Sequence, residues 1–309
     1  MRSVASSTRS SGSGRVDRVS GVSGIVARTP PSALVVLGQP VARSLSPVFQ
    51  NAALQASQIT VQYDRREVAP DELDAVLAEC QTRNCGGNVT MPHKAAVFER
   101  AAHRTPMAER TGAVNTFWWE DGHLMGHNTD VAGITATLRA LCPRGIDGDV
   151  LVLGAGGSAA AVLVALEGAQ RAAGAHTIVM ARTPARGDAL VRRVKAEAQV
   201  VADGTPISWS RVALVINATP KGMGSDDALP MLPALLSPHT AVFDLVYTPE
   251  STRWVNEARA RGLDAEDGLR MLVEQGAAAF ETWFETPAPR EAMWRALGVP
   301  MPSPHAVRR

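Results

Sequence analysis

Short apolar runs alternate with amphipathic stretches along most of the chain, and residues with turn chemistry mark many of the changes. ALVVLG, 33–38, is a β-rich run closed by Gly38 and Pro40, which predicts a strand. SPVFQNAALQAS then reads as a helix with Ser46 as N-cap and Pro47 in its first position. VQYDRREV predicts another strand, and a helix from about Pro70 to Cys80 leads to a short apolar stretch ending in NVTMPHK, 88–94. There Asn88 and Thr90 fall on alternate positions of an extended segment, and Pro92 suits the start of a helix whose first turn holds Lys94. AVNTFWWEDGHLMGHNTD puts Asp121-Gly122 between two β-prone runs, the signature of a two-residue hairpin turn. Counting back from that turn pairs Asn115 with Asn128 and brings Asn115 close to Thr129 and Asp130. A helix from about Val131 to Leu141 follows.

The second half restarts with DVLVLGAGGSAAAVLVAL, 149–166, in which Gly154, Gly156 and Ala159 keep the G-x-G-x-x-G/A spacing between a strand and a small-residue helix start. The first glycine permits a tight turn, the second admits a pyrophosphate against backbone, and the third small residue lets helix and strand pack closely. Helix N–H groups then face the phosphates. The bland alternative is a tight structural turn. The following strand, HTIVMARTPARG, ends in Ala181, Arg182, Thr183 and Arg186, where NAD sites usually carry an acid for the ribose 2′-OH. Two guanidinium groups suit a 2′-phosphate, so NADP is the expected cofactor, although arginines also occur on solvated helix starts. VALVINATP and AVFDLVY fit later strands of the same sheet, with turns at Lys221-Gly222-Met223 and Tyr247-Thr248-Pro249 along its ligand-facing edge.

Alternating strands and helices imply βαβ units, and 309 residues exceed the usual size of one domain, so the expected fold is α/β with two domains. Residues 1–31 are rich in Ser, Arg and Gly and are read as a disordered extension; a transit peptide or a start codon placed too early are the alternatives. A net charge of +1 gives no general reason to expect nucleic acid or a membrane surface as partner and favours a small or locally charged ligand. No apolar run approaches the roughly 18 residues that suggest a membrane span. Cys80, Cys85 and Cys142 form neither a metal-spaced cluster nor an even disulfide framework, which favours a reducing compartment and a cytoplasmic protein, with no metal.

Lys94 is the candidate for chemistry. A nicotinamide cofactor transfers hydride, so reducing a ketone also needs an acid for the developing alkoxide. A cation in a first helical turn is disfavoured by roughly 0.3–1 kcal/mol, an odd place for a lysine that only solubilises. Asp130 could orient that lysine, hold a substrate hydroxyl, or cap the helix that follows it. Ser44 and Ser46 flank Leu45, so an extended segment would point both hydroxyls to one side, where they could hold a carboxylate; an N-cap and a loop serine are the plain alternative.

In their order, GQPVARSLSPVFQNAAL, GGNVTMPHK, GAVNTF, GHNTD, VLGAGGSAAA, NATPKGM, DLVYTPESTRW and DGLRMLVEQGAAAFETW resemble the shikimate dehydrogenase family over residues 34–298. The resemblance implies NADP-dependent, reversible reduction of 3-dehydroshikimate to shikimate on the route to chorismate and aromatic amino acids. It also implies an N-terminal α/β substrate domain with a mostly parallel sheet, a C-terminal Rossmann domain, and a final helix returning to the first domain. The layout expected is 32–140 plus 270–300 for substrate, 141–269 for cofactor, and a 301–309 tail, with crossings near 131–145 and 265–270. Carried over by residue, Lys94 and Asp130 are catalytic. Ser44 and Ser46 bind the carboxylate with Tyr247 nearby, and Asn88, Thr90, Asn115 and Gln275 surround the ring hydroxyls. Gly154, Ala155, Gly156, Gly157 and Ser158 match the phosphate loop; Arg182, Thr183 and Arg186 match the adenosine-phosphate grip; Met223 and Gly268 lie by the nicotinamide. A homodimer is compatible with the resemblance. Three positions depart from the family pattern: Gln50 replaces histidine, Ala181 replaces asparagine and Gly276 replaces alanine. Gln50 and Gly276 also occur in the quinate/shikimate branch, which keeps that activity as an alternative. A non-catalytic ligand sensor and a folate-linked dehydrogenase are the remaining readings.

Overall fold

The computed structural model describes residues 29–224, 228–248 and 250–302. Most of the extension read as disordered and most of the expected tail lie outside them. By Pro31 the chain is packed, since a methyl group at Gly86 would collide with the Pro31 ring.

The first half builds a six-stranded sheet from β1 (Ala33–Gly38), β2 (Tyr63–Glu67), β3 (Cys85–Val89), β4 (His103–Arg104), β5 (Thr116–Glu120) and β6 (His123–His127), in the order β2-β1-β3-β5-β6-β4. Three neighbouring pairs are parallel, and the β5–β6 hairpin makes two antiparallel contacts. Helices α1 (Ser46–Ala56), α2 (Leu73–Thr82), α3 (Lys94–Arg100), α4 (Pro106–Thr111) and α5 (Asp130–Leu141) connect and leave it. Asp121 and Gly122 both take positive φ, +49° and +75°, the primed turn a two-residue hairpin demands. The register runs from Glu120↔His123 to Thr116↔His127, and the Asn115 N–H donates to the His127 carbonyl, so the count back from the turn holds.

The second half is a fully parallel sheet of β7 (Asp149–Leu153), β8 (Thr177–Ala181), β9 (Gln199–Ala202), β10 (Val212–Asn217), β11 (Ala241–Asp244) and β12 (Ala265–Glu266), ordered β12-β11-β10-β7-β8-β9. The chain builds outward from β7 to β9, then returns to build outward again from β10. The strand order therefore reverses beside β7, where doubly wound sheets open their ligand crevice. Apolar clusters cover both faces, one built on α5, α6 (Gly157–Glu167) and α7 (Pro184–Val194), the other on α8 (Arg253–Ala260). Helix α9 (Leu269–Phe284) leaves this sheet and packs its buried face against α1, α10 (Arg290–Ala296) and the first sheet, with Trp283 and Trp294 nearly inaccessible.

Four helix starts differ from expectation. Helix α2 begins at Leu73 rather than near Pro70, because the Ala69 carbonyl closes a separate turn with the Glu72 N–H. Ser46 is already helical and caps nothing: the Val48 N–H it would have accepted is taken by the Leu45 carbonyl, and Leu45 itself is helical at φ −84°, ψ −7°. The 44–46 segment is thus not extended. Helix α3 begins at Lys94 rather than Pro92, because the Thr90 carbonyl closes a separate turn with the His93 N–H and the helical ladder starts from the His93 carbonyl. Asp130 does not cap α5; it is its first residue, its N–H bound by Asn128 Oδ1, and its carboxylate is used elsewhere.

Candidate active site

The carboxyl ends of β1 and β3, the strand end before β5 and the starts of α3 and α5 meet at one edge of the first sheet. Lys94 Nζ lies 2.6 Å from Asp130 Oδ2 although 36 residues separate them, with side chains 20% and 5% exposed. Asn115 Nδ2 holds the other carboxylate oxygen at 2.8 Å and reaches Gln275 Oε1 at 3.2 Å. Thr129 adds bonds to Asn115 and Gln275. The carboxylate is thereby fixed from two sides, and the ammonium, with three donors, retains capacity for a ligand oxygen. Val114 N–H donates to the Lys94 carbonyl, so the lysine's backbone is tied to the strand that carries Asn115.

Asn88 is buried; its Nδ2 donates to the Asn115 carbonyl and the Thr116 hydroxyl, and its Oδ1 accepts from the Tyr63 hydroxyl at 2.7 Å. Tyr63 also hydrogen-bonds the Ser46 side chain, and complete burial pushes its phenol up. This tyrosine, not singled out in the sequence, joins the serine loop to Asn88. Thr90 is half-buried beside Gly38, where a methyl would strike its Cγ2. Ser44 Oγ accepts the Ser46 N–H at 3.3 Å. From the second sheet, Tyr247 hydrogen-bonds the Leu45 backbone between those serines, and burial raises its pKa. Nine of the residues expected to act on substrate are thus brought to one edge.

The expected cofactor residues lie along the second sheet's carboxyl edge. Gly154 has φ +109°, and a side chain there would press on Thr219 Cγ2 and the Ala218 carbonyl, so the tight turn demands glycine. Gly156 sits at the uncapped start of α6, nothing lies within 4 Å of a methyl added to it, and Gly157 is exposed beside it; Ala155 and Ser158 are half-buried. Free N–H groups facing open space fit a dinucleotide diphosphate. Arg182, Thr183 and Arg186 are exposed where β8 passes into α7. Met223 is 52% exposed in the loop after β10, and a side chain added to Gly268, at the start of α9, would strike the Leu245 carbonyl.

Two buried residues hold these loops and were not singled out in the sequence. Asn217, at the end of β10, donates to the Lys221 carbonyl and to Asp244 Oδ1. Asp244, at the end of β11, accepts further from the Val246 N–H and the Thr252 hydroxyl, and burial pushes its carboxyl up to about 6. His93 is similar: its ring meets the Val68 carbonyl at 2.7 Å and anchors the turn before Lys94. Only their polar character at strand and helix ends could have marked them. Among the described residues no group of His, Cys, Asp and Glu could hold a metal ion, and no helix is long and apolar enough to cross a membrane.

Residues 36–117 match the model of the shikimate dehydrogenase substrate-binding domain, and 268–297 match that of the shikimate 5′-dehydrogenase C-terminal domain. A shikimate dehydrogenase (NADP(+)) of Mesorhizobium japonicum is 42% identical over 267 residues, covering 85% of this chain and 94% of the relative. The shikimate 5-dehydrogenase of Thermus thermophilus, solved in complex with NADP(H) and shikimate, superposes with a TM-score of 0.75 at 36% identity, over 86% of this chain and 98% of that one. The ligand-free 5-ketofructose reductase of a Gluconobacter species shares the fold at a TM-score of 0.74 and 28% identity, over 87% and 98% of the two chains.

Proposed function

The chain belongs to the shikimate dehydrogenase family, and from that premise we propose that it reduces 3-dehydroshikimate reversibly to shikimate with NADPH. The observation that carries this reading is the Lys94–Asp130 pair, bound into the Asn115–Gln275 network. When bound, NADPH supplies the hydride. Lys94 donates a proton to the ketone oxygen as that oxygen gains charge, and takes it back in the oxidation direction. Asp130 keeps the amine in place and holds the neighbouring hydroxyl. Asn88, Thr90, Asn115 and Gln275 read the ring hydroxyls, while Ser44, Ser46 and Tyr247 receive the carboxylate. Arg182 and Arg186 take the 2′-phosphate, with Gly154 to Ser158 around the diphosphate and Met223 and Gly268 beside the nicotinamide.

In this reading residues 32–140 with 270–300 form the substrate domain and 141–269 the cofactor domain of a cytoplasmic enzyme. Light scattering distinguishes a homodimer from a monomer. The deciding experiment measures oxidation of shikimate and quinate with NADP and NAD at the NADPH absorbance band. Shikimate with NADP is expected to be the best pair. A clear quinate preference, motivated by Gln50 and Gly276, would move the chain to the quinate/shikimate branch; binding of both ligands without turnover would make it a sensor.

A further inference from the structure

Helix α9 brings Gln275 to the site and is held by two close approaches. On one side Gly133 of α5 meets it so tightly that a methyl at 133 would collide with the Met271 carbonyl and lie 3.0 Å from Gln275 Cβ. On the other, a methyl at Gly276 would collide with Cε2 of Phe49, a fully buried ring of α1. Gln50, next to that ring, spans the same contact: its Nε2 donates to the Gly276 carbonyl at 2.9 Å. Gln50 stands four residues after Ser46, one helical turn away on the same face of α1. The bond therefore ties the helix that begins with a carboxylate-binding serine to the helix that carries the ring-binding glutamine.

The glutamine is not the residue stability alone would select. It is inaccessible to solvent, and its Oε1 has no hydrogen-bond partner among the described residues, a desolvation cost an apolar side chain of similar length avoids. The structure shows the two positions in contact, through the Gln50 side chain and the Gly276 backbone.

We propose that Gln50 and Gly276 form a joint that fixes the spacing between the serine end of α1 and Gln275, and so sets the affinity for the cyclic hydroxy acid. Gln50 is a positioning residue, remote from the reacting atoms. The inference rests on the function proposed above. It is tested by Gln50→Met, which keeps length and removes both polar atoms, and by Gly276→Ala, separately and together in the full chain. With NADP saturating, each single variant is expected to raise the KM for shikimate about tenfold, the scale on which small misplacements act. Turnover should stay within about twofold and the KM for NADP should not move, because the lysine pair and the glycine loop lie elsewhere. The double variant should be no worse than the poorer single one, since both break one contact.

A KM for shikimate in Gln50→Met within about twofold of the parent value would overturn the joint, and that variant decides alone if Gly276→Ala does not fold. If the unmodified chain neither binds nor oxidises shikimate, the proposed function fails instead. Thermal unfolding then judges the joint: non-additive losses uphold it, and additive losses overturn it.

Discussion

The edges of the two sheets that carry the candidate site residues are built by different means. In the first sheet the edge is made of side chains: Asp130, Asn115, Thr129, Gln275, Asn88 and Tyr63 satisfy one another in a largely buried network that leaves Lys94 partly exposed at its rim. In the second sheet it is made of backbone, with a left-handed glycine, an uncapped helix start and exposed arginines beyond them. A reacting carbonyl needs an acid held to within fractions of an ångström, which buried and mutually bonded side chains supply. A diphosphate needs dipoles and space, which a glycine turn supplies without any side chain. Removing a side chain should therefore damage the first edge most, and adding one should damage the second.

The largest expected effect is at the rim of the network. Lys94→Ala should lower turnover by about 10²- to 10⁴-fold, the span general acids contribute, with the KM for NADPH unchanged. Saturating steady-state rates check this, and unchanged turnover would remove Lys94 from the chemistry. Arg182→Ala combined with Arg186→Ala comes next. Loss of two charge-assisted contacts should raise the KM for NADPH about 10- to 100-fold and leave NADH kinetics alone. An equal loss with both cofactors would mean that the arginines support the fold and not the phosphate. Gly154→Ala adds a side chain where φ is +109°, and the strain of about 1–3 kcal/mol should appear as a lower melting temperature together with weaker NADPH binding.

How much of this the sequence disclosed follows from how local each feature is. The hairpin register was readable because a two-residue turn fixes the pairing of every residue behind it, so Asn115 could be placed beside Thr129 and Asp130. The Gly154 turn was readable because one strand, one loop and one helix start contain it. The helix starts at Ser46, Lys94 and Asp130 were each misplaced, because the choice of the first acceptor depends on which carbonyl the fold brings within reach. Tyr63 between Ser46 and Asn88, His93 against Val68, and Gln50 on Gly276 join segments distant along the chain, and no spacing rule reports them.

The smallest predicted effect compares the carboxylates that anchor the two edges. Asp130 has a cation; Asp244 has donors from Asn217, Val246 and Thr252 but no cationic partner among the described residues, and its carboxyl rises from 3.8 to about 6 through burial, with Asp267 adding to the rise. A native carboxyl that holds its proton more tightly than the unfolded chain does contributes stability as pH falls from about 7 towards 4. Between pH 7 and pH 5 this amounts to about 1 kcal/mol in favour of the folded protein. Half-buried His127, whose pKa is lowered by desolvation, acts in the opposite direction over part of that window. Asp149, despite the desolvation that works to raise it, is held below 3.8 mainly by Arg211 and acts only in stronger acid. The quantity to measure is therefore the difference in unfolding free energy between the parent and Asp244→Asn at the two pH values. Its constant part reports the lost hydrogen bonds. The gap should widen by about 1 kcal/mol from pH 7 to pH 5; a gap independent of pH would show that Asp244 stays ionised throughout, and that the second edge tolerates a buried charge with dipoles alone.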